Sequence, residues 1–247
     1  MNPIEQFQIN RIVPLHLFGY DVSFTNSSLL MVIALALIFL VMIVFAAPRA
    51  IVPGRLQSVA EVSHEFVAHM VRSTTGEDGM VFFPFVFTLF MFIFAANILG
   101  LIPYSFTVTS HLIITVTMAL MVFLMVLIVG FAKNGLGFLR LFVPSGVPIW
   151  ILPFVVPIEV ISYFTRPVSH SIRLFANMLA GHITLQVFAG FVVLLLGGGV
   201  WAILSPLPFL FTVALLALEL LVAFLQAYVF AMLTCMYLND ALHAGHH

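Results

Sequence analysis

From Leu174 to Leu218 the chain contains no Asp, Glu, Lys or Arg. A permanent cation, Arg173, stands just before this stretch and a carboxylate, Glu219, just after it. Soluble domains carry roughly 25% charged residues, so a neutral run of this length has no place in a water-soluble globule. The rest of the chain agrees: 7% of its 247 residues are charged and 63% are hydrophobic. Several other uncharged runs reach membrane-spanning length. The fold class expected is therefore an all-α integral membrane protein. The alternating ten-residue strands of an outer-membrane barrel are absent. The length suits a single membrane domain, 1–247, with no room for a soluble catalytic domain. A formal net charge of −1 gives no hint of a nucleic-acid partner. The lone Cys235 excludes an intramolecular disulfide and reads as a packing residue in an apolar run.

Along the chain, residues 1–27 form a mixed, polar amino-terminal segment with Arg11 as its only strong base. The Asn26-Ser-Ser glycosylation signal abuts the membrane and carries no weight. Leu29–Ala47 is the first span, ended by Pro48. It is too long, and too poor in preceding basic residues, for a cleaved signal peptide. Residues 54–72 differ. Leu56, Val59, Ala60, Phe66, Val67 and Met70 recur at helical spacing, while Arg55, Ser58, Glu61, Glu65, His69 and Arg72 take the other side. This predicts an amphipathic helix at the membrane surface. His64 and His69, with Glu61 and Glu65, only imitate a metal site, and no metal or cofactor is expected. Met80–Ile102 and Thr107–Ala132 are the next spans. The Gly135/Gly137 pair beyond them is too little for a nucleotide site. Residues 148–165 are apolar but interrupted by Pro153 and Pro157. Long apolar segments follow at 168–196 and 208–239, separated by a turn around Gly197–Gly199. Residues 148–239 thus read as a hairpin, and the tail HAGHH as a solvated end.

Basic residues set the orientation. Arg49, Arg55 and Arg72 follow the first span, and Lys133 and Arg140 follow the third, whereas the loops at 103–106 and 197–207 carry none. The amino terminus is therefore expected outside and the carboxy terminus in the cytoplasm, with about five membrane-crossing helices and one surface helix. At 1.5 Å per residue the last two segments rise about 43 and 48 Å. The hydrocarbon is about 30 Å thick, so both should tilt strongly and pack on a partner inside the membrane.

Polar residues in this setting are costly: an arginine deep in a membrane helix costs about 2.5–3.5 kcal/mol on insertion scales. Snorkelling to the interface is the plain alternative for Arg173. At 100° per residue, however, Glu159, Arg166, Ser169, Arg173 and Asn177 fall within about 80° of one another, which argues for function. An antiparallel hairpin centred near residue 201 also pairs positions whose numbers sum to about 401. That rule sets His182 opposite Glu219, and Arg173 opposite Tyr228, half a turn from Gln226. Glu219 and Gln226, seven apart, share a face. A buried structural pair is the alternative for His182 and Glu219. His182 lies half a circle round the helix from Arg173, so the two should serve different tasks.

The strings PVSHSIRLFANMLAGH and LELLVAFLQAYVFAML, with the pattern RLxxNxxAGH followed by ExxxxxxQ, resemble the a subunit of the Fo membrane sector of proton-translocating F-type ATP synthases. The likeness covers most of the chain. It implies that Arg173 is the essential arginine facing a carboxylate of a rotating c-subunit ring. Asn177, His182, Glu219 and Gln226 would be polar channel residues, and Glu159 an acid on the opposite access route. Ser169, His170, Arg166 and Tyr228 are secondary candidates near them. Many bacterial members place the acid in the first helix and the histidine in the second. Here the order is exchanged, and either His182 or Glu219 is open as the longer-lived proton site. The family further implies a non-nucleotide-binding subunit of the bacterial inner membrane, assembled with the c ring, b-type peripheral stalk subunits and the remaining F1Fo complex. Two half-channels would carry protons to and from the ring. Two other classes compete: a secondary transporter and a structural membrane protein. No internal repeat supports the first, and the second needs no titratable pair at matched depth.

Overall fold

The computed structural model describes residues 9, 11–14, 16–17, 20–21, 23–46, 54–102, 106–143, 148 and 150–244. Its helices are α1 (Asn26–Ala46), α2 (Arg55–Thr75), α3 (Phe83–Gly100), α4 (Leu112–Asn134), α5 (Leu152–Leu196) and α6 (Pro206–His243). Among the described residues, five helical segments are long and apolar enough to cross a membrane; α2 is not one of them. The chain is thus an all-α integral membrane protein. Before α1, four short strands pair as two antiparallel ladders, β1 (Arg11–Val13) with β4 (Phe24–Thr25) and β2 (His16–Leu17) with β3 (Tyr20–Asp21). Pro48, Arg49 and the HAGHH tail beyond Ala244 lie outside the described residues.

Several threonines of the spanning helices keep their hydroxyls within their own helix. Thr88, Thr117, Thr184, Thr212 and Thr234 each donate their hydroxyl to the carbonyl four residues back. In hydrocarbon an unsatisfied polar group costs several kcal/mol, and this local bond removes the cost without a partner helix. Apolar side chains face outward instead: Phe39, Phe154, Leu194 and Leu210 are each at least 70% exposed.

The sequence reading divides residues 148–196 at the prolines. The structure does not. Helix α5 is a single helix of 45 residues with Pro157 and Pro167 inside it. Each proline removes one N–H from the ladder, a loss that membrane helices tolerate. At 1.5 Å per residue α5 rises about 68 Å, and the 38 residues of α6 about 57 Å. Neither fits upright in about 30 Å of hydrocarbon.

The chain forms two compact units. The first comprises 1–41, 91–111 and 174–227. Leu174 and Met178 of α5 are buried in it, Phe94 meets Phe224 edge-on at 5.9 Å, and Phe188 stacks on Phe211 at 5.8 Å. The second comprises 42–90, 112–173 and 228–247. Its core includes Val67, Val71, Val86, Phe138, Phe230 and Leu238. Phe138 lies against Gly130, where a Cβ would stand 2.4 Å from its ring, so α4 must be bare at that point. Helix α2 is amphipathic as expected. Ala60, Val67 and Met70 are buried, and Glu61, Glu65, His69 and Arg72 exposed. Val59 and Phe66 sit on its exposed flank. Gly76, at φ 70°, ends the helix and returns its N–H to the Arg72 carbonyl. His64 rests on the Phe83 and Phe87 rings at 4.6 and 6.0 Å.

Candidate functional site

The first unit buries a group of polar side chains. His182 of α5 and Glu219 of α6 face each other, with Nδ1 to Oε1 at 3.3 Å and side chains only 5% and 4% exposed. This is the pair that the hairpin sum brings together. Gly181 makes the approach possible, because a Cβ there would stand 2.8 Å from Glu219 Oε1. The contact has ion-pair distance without hydrogen-bond alignment, and both carboxylate oxygens lack a hydrogen-bond partner among the described residues. The other ring nitrogen, His182 Nε2, lies 3.1 Å from Thr107 Oγ1. Beside it, Thr109 donates its hydroxyl to Asn97 Oδ1 at 2.8 Å, and Asn97 Nδ2 donates to the Ala223 carbonyl at 3.2 Å. Asn97, Thr107 and Thr109 are fully buried. His111, just outside the spans, stacks on Phe106 at 4.5 Å, and burial lowers its pKa below the ordinary imidazole value.

Sequence reasoning missed Asn97, Thr107 and Thr109. Asn97 lies unremarked inside the span read at Met80–Ile102, and the two threonines fall at the start of the span read at Thr107–Ala132. The available signal was their placement. Thr107 and Thr109 precede α4, so they cannot turn their hydroxyls back on a helical carbonyl as the other span threonines do.

In the second unit, Arg166 Nη1 binds Asp240 Oδ2 at 3.0 Å. Its guanidinium lies 5.3 Å from the ring centres of both Tyr163 and Tyr237. His170 is buried beside Phe230, with ring centres 3.8 Å apart, and Tyr237 at 6.2 Å. Tyr228 packs on Phe66 at 5.7 Å and forms no hydrogen bond to Arg173 among the described residues. Arg173 itself is exposed, with neither an ion pair nor a hydrogen bond among the described residues. Ser169 and Asn177 are also exposed, whereas Glu159 and Gln226 are half-buried. The stripe read from the sequence is therefore uneven. Its central members are bare and Arg166 is held by a partner. No cluster of three or more metal-ligating side chains occurs among the described residues.

Comparison with known proteins identifies the family. The family model described as "ATP synthase A chain" matches residues 28–239. The ATP synthase subunit a of Rhodopseudomonas palustris strain BisB18 is 61% identical over 248 residues, covering all of both chains. That of Maricaulis maris is 59% identical over 254 residues, covering 99% of this chain and 98% of the relative. That of Nitrobacter hamburgensis is 58% identical over 248 residues, again covering both chains in full. With a family match across nearly all its helices and full-length relatives at about 60% identity, the chain belongs to the family of ATP synthase a subunits, components of the Fo membrane sector of F-type ATP synthase.

Proposed function

We propose that this chain is the proton-conducting stator of the Fo sector. On this reading it is not an enzyme by itself and binds no nucleotide. Its amino terminus lies outside a bacterial inner membrane and its carboxy terminus in the cytoplasm. The tilted hairpin of α5 and α6 faces a ring of c subunits, and b-type subunits hold the chain still. Protons enter from outside past Glu219 and His182, with Asn177 and Gln226 as polar neighbours, and neutralise a ring carboxylate. The ring turns, and the proton leaves near Glu159. A neutral carboxyl tolerates lipid, whereas a carboxylate does not.

The observation that carries the reading is Arg173, an exposed guanidinium inside a membrane-length helix, with no ion-pair or hydrogen-bond partner among the described residues. Left bare in lipid it costs about 2.5–3.5 kcal/mol; a ring carboxylate offsets that cost. Facing Arg173, the carboxylate is stabilised in its ionised form and gives up its proton. Arginine suits the task because it does not deprotonate. A fixed cation between two half-channels also blocks a proton from crossing without rotation. That matters because one charge crossing 100 mV is worth about 2.3 kcal/mol.

The chain supplies a cation and polar groups, and on this reading the mobile carboxylate belongs to another polypeptide. The purified chain alone in liposomes, under a potassium-diffusion potential, should therefore conduct protons no faster than empty liposomes. Adding the c ring and remaining membrane subunits should switch conduction on, and esterifying the ring carboxylate should switch it off. Saturable transport by the isolated chain would reject the stator reading in favour of a self-contained transporter.

A further inference from the structure

Thr107 sits where a hydroxyl is hard to justify by packing. It is fully buried, extended in backbone (φ −93°, ψ 108°), and outside any helix whose carbonyl could take its proton. Its position is held from two sides. The Ser110 hydroxyl donates to the Thr107 carbonyl at 2.7 Å. Gly100 leaves the space that Thr107 fills, since a Cβ there would stand 2.8 Å from Thr107 Cγ2. The Thr107 hydroxyl then lies 3.1 Å from His182 Nε2, on the side of the imidazole away from Glu219.

The chemistry of this contact is specific. When His182 Nδ1 carries a proton toward the Glu219 carboxylate and the ring is neutral, Nε2 is an acceptor and needs a donor. When Nδ1 is bare and faces a protonated Glu219, Nε2 carries the proton and needs an acceptor. When the ring is an imidazolium, both nitrogens donate. A carbonyl serves only the last two states, and an N–H only the first. A hydroxyl serves all three by rotating. We propose that Thr107 is a positioning residue that keeps His182 Nε2 hydrogen-bonded in every protonation state of the His182–Glu219 pair. The pair then exchanges a proton without leaving a buried ring nitrogen unpartnered. This rests on the proton-path reading above. In the exchange itself a protonated Glu219 gives its proton to Nδ1 of the neutral ring, leaving a carboxylate and an imidazolium, while Nε2 and the Thr107 hydroxyl each keep their own proton throughout.

The test uses the whole ATP synthase in inverted membrane vesicles. It measures proton-driven ATP synthesis per assembled complex, with the amount of assembled a subunit measured separately. Thr107→Val keeps the branched shape and removes the hydroxyl. It should lower the rate about fivefold or more, as expected when a buried polar atom loses its partner at a step that limits the rate. Thr107→Ser restores the hydroxyl and should keep at least about half of the parent rate. Should the valine variant fail to assemble, Thr107→Ala, which adds no volume, takes its place against the same serine control. Parent-like synthesis by the variant lacking the hydroxyl, or a serine variant no better than valine, would overturn the proposal. His182→Ala in the same vesicles separates the two levels. If it synthesises at the parent rate, the proton-path reading itself fails. If it is slow while Thr107→Val is fast, only the role of Thr107 is lost.

Discussion

Two guanidiniums lie seven residues apart on α5, and they could hardly be treated more differently. Arg166 is 30% exposed, paired with Asp240 at 3.0 Å and flanked by the rings of Tyr163 and Tyr237. Arg173 is exposed and has no such partner among the described residues. Seven residues bring a helix back to nearly the same face, so sequence position alone gives the two the same standing. Their surroundings do not. A side chain whose charge is already neutralised inside its own chain is committed to holding that chain together. One left bare in a membrane-length helix is available to a charge from elsewhere. On the proposed reading, the chain separates fastening from gating by giving each its own arginine.

The largest effect that tests this contrast is at Arg173. Arg173→Ala should abolish ATP synthesis while the complex still assembles, and Arg173→Lys should be severely defective, since lysine deprotonates when buried. Near-normal synthesis in the alanine variant would end the distinction between the arginines. Next comes the His182–Glu219 pair, which the proposed function sets on the proton path. His182→Glu and Glu219→His should each cut proton-driven synthesis by about tenfold or more, because each sets like groups against one another in a dry site. The double exchange should recover a measurable part. A double variant no better than the worse single one would separate the two residues.

A smaller effect is expected at Arg166. A cycle of Arg166→Leu, Asp240→Leu and the double variant, read as the Tm of the purified complex, should give a coupling of about 1 kcal/mol, since both partners are roughly a third exposed. If that coupling is absent while synthesis per complex collapses, Arg166 belongs with the gate. The smallest effect is at Lys133 and Asp78, which pair at 3.1 Å with side chains 43% and 67% exposed. Asp78→Asn should move the Tm by no more than about 1 °C at physiological salt, because exposed pairs are screened.

Some of this was readable from residue order. The spans announced themselves by uncharged length. The His182–Glu219 contact followed from one turn and two numbers, because few other titratable groups occupy that hairpin. Other features depend on facts that order does not carry. Pro157 looked like a break, yet in α5 it removes a single bond and the helix continues, as it does again past Pro167. Asp240 stands just beyond the last apolar run, 208–239, and drew no role from the sequence. It is the partner of Arg166, 74 residues earlier. Thr107, Thr109 and Asn97 carry no charge and have no periodicity. Their roles arise only when α3, the segment before α4 and the hairpin come within a hydrogen bond of one another.

Gly181 brings no hydrogen-bonding or titratable group to the site, yet it sets the spacing of the buried pair. Every other amino acid has a Cβ, and a Cβ at this position would stand 2.8 Å from the Glu219 oxygen and 3.1 Å from its carboxyl carbon. Any substitution, however mild it looks on a scale of size or polarity, pushes the carboxylate away from His182. The position is therefore chemically silent, and a harmful variant there would act by the presence of one carbon atom that displaces the carboxylate rather than by the loss of any group.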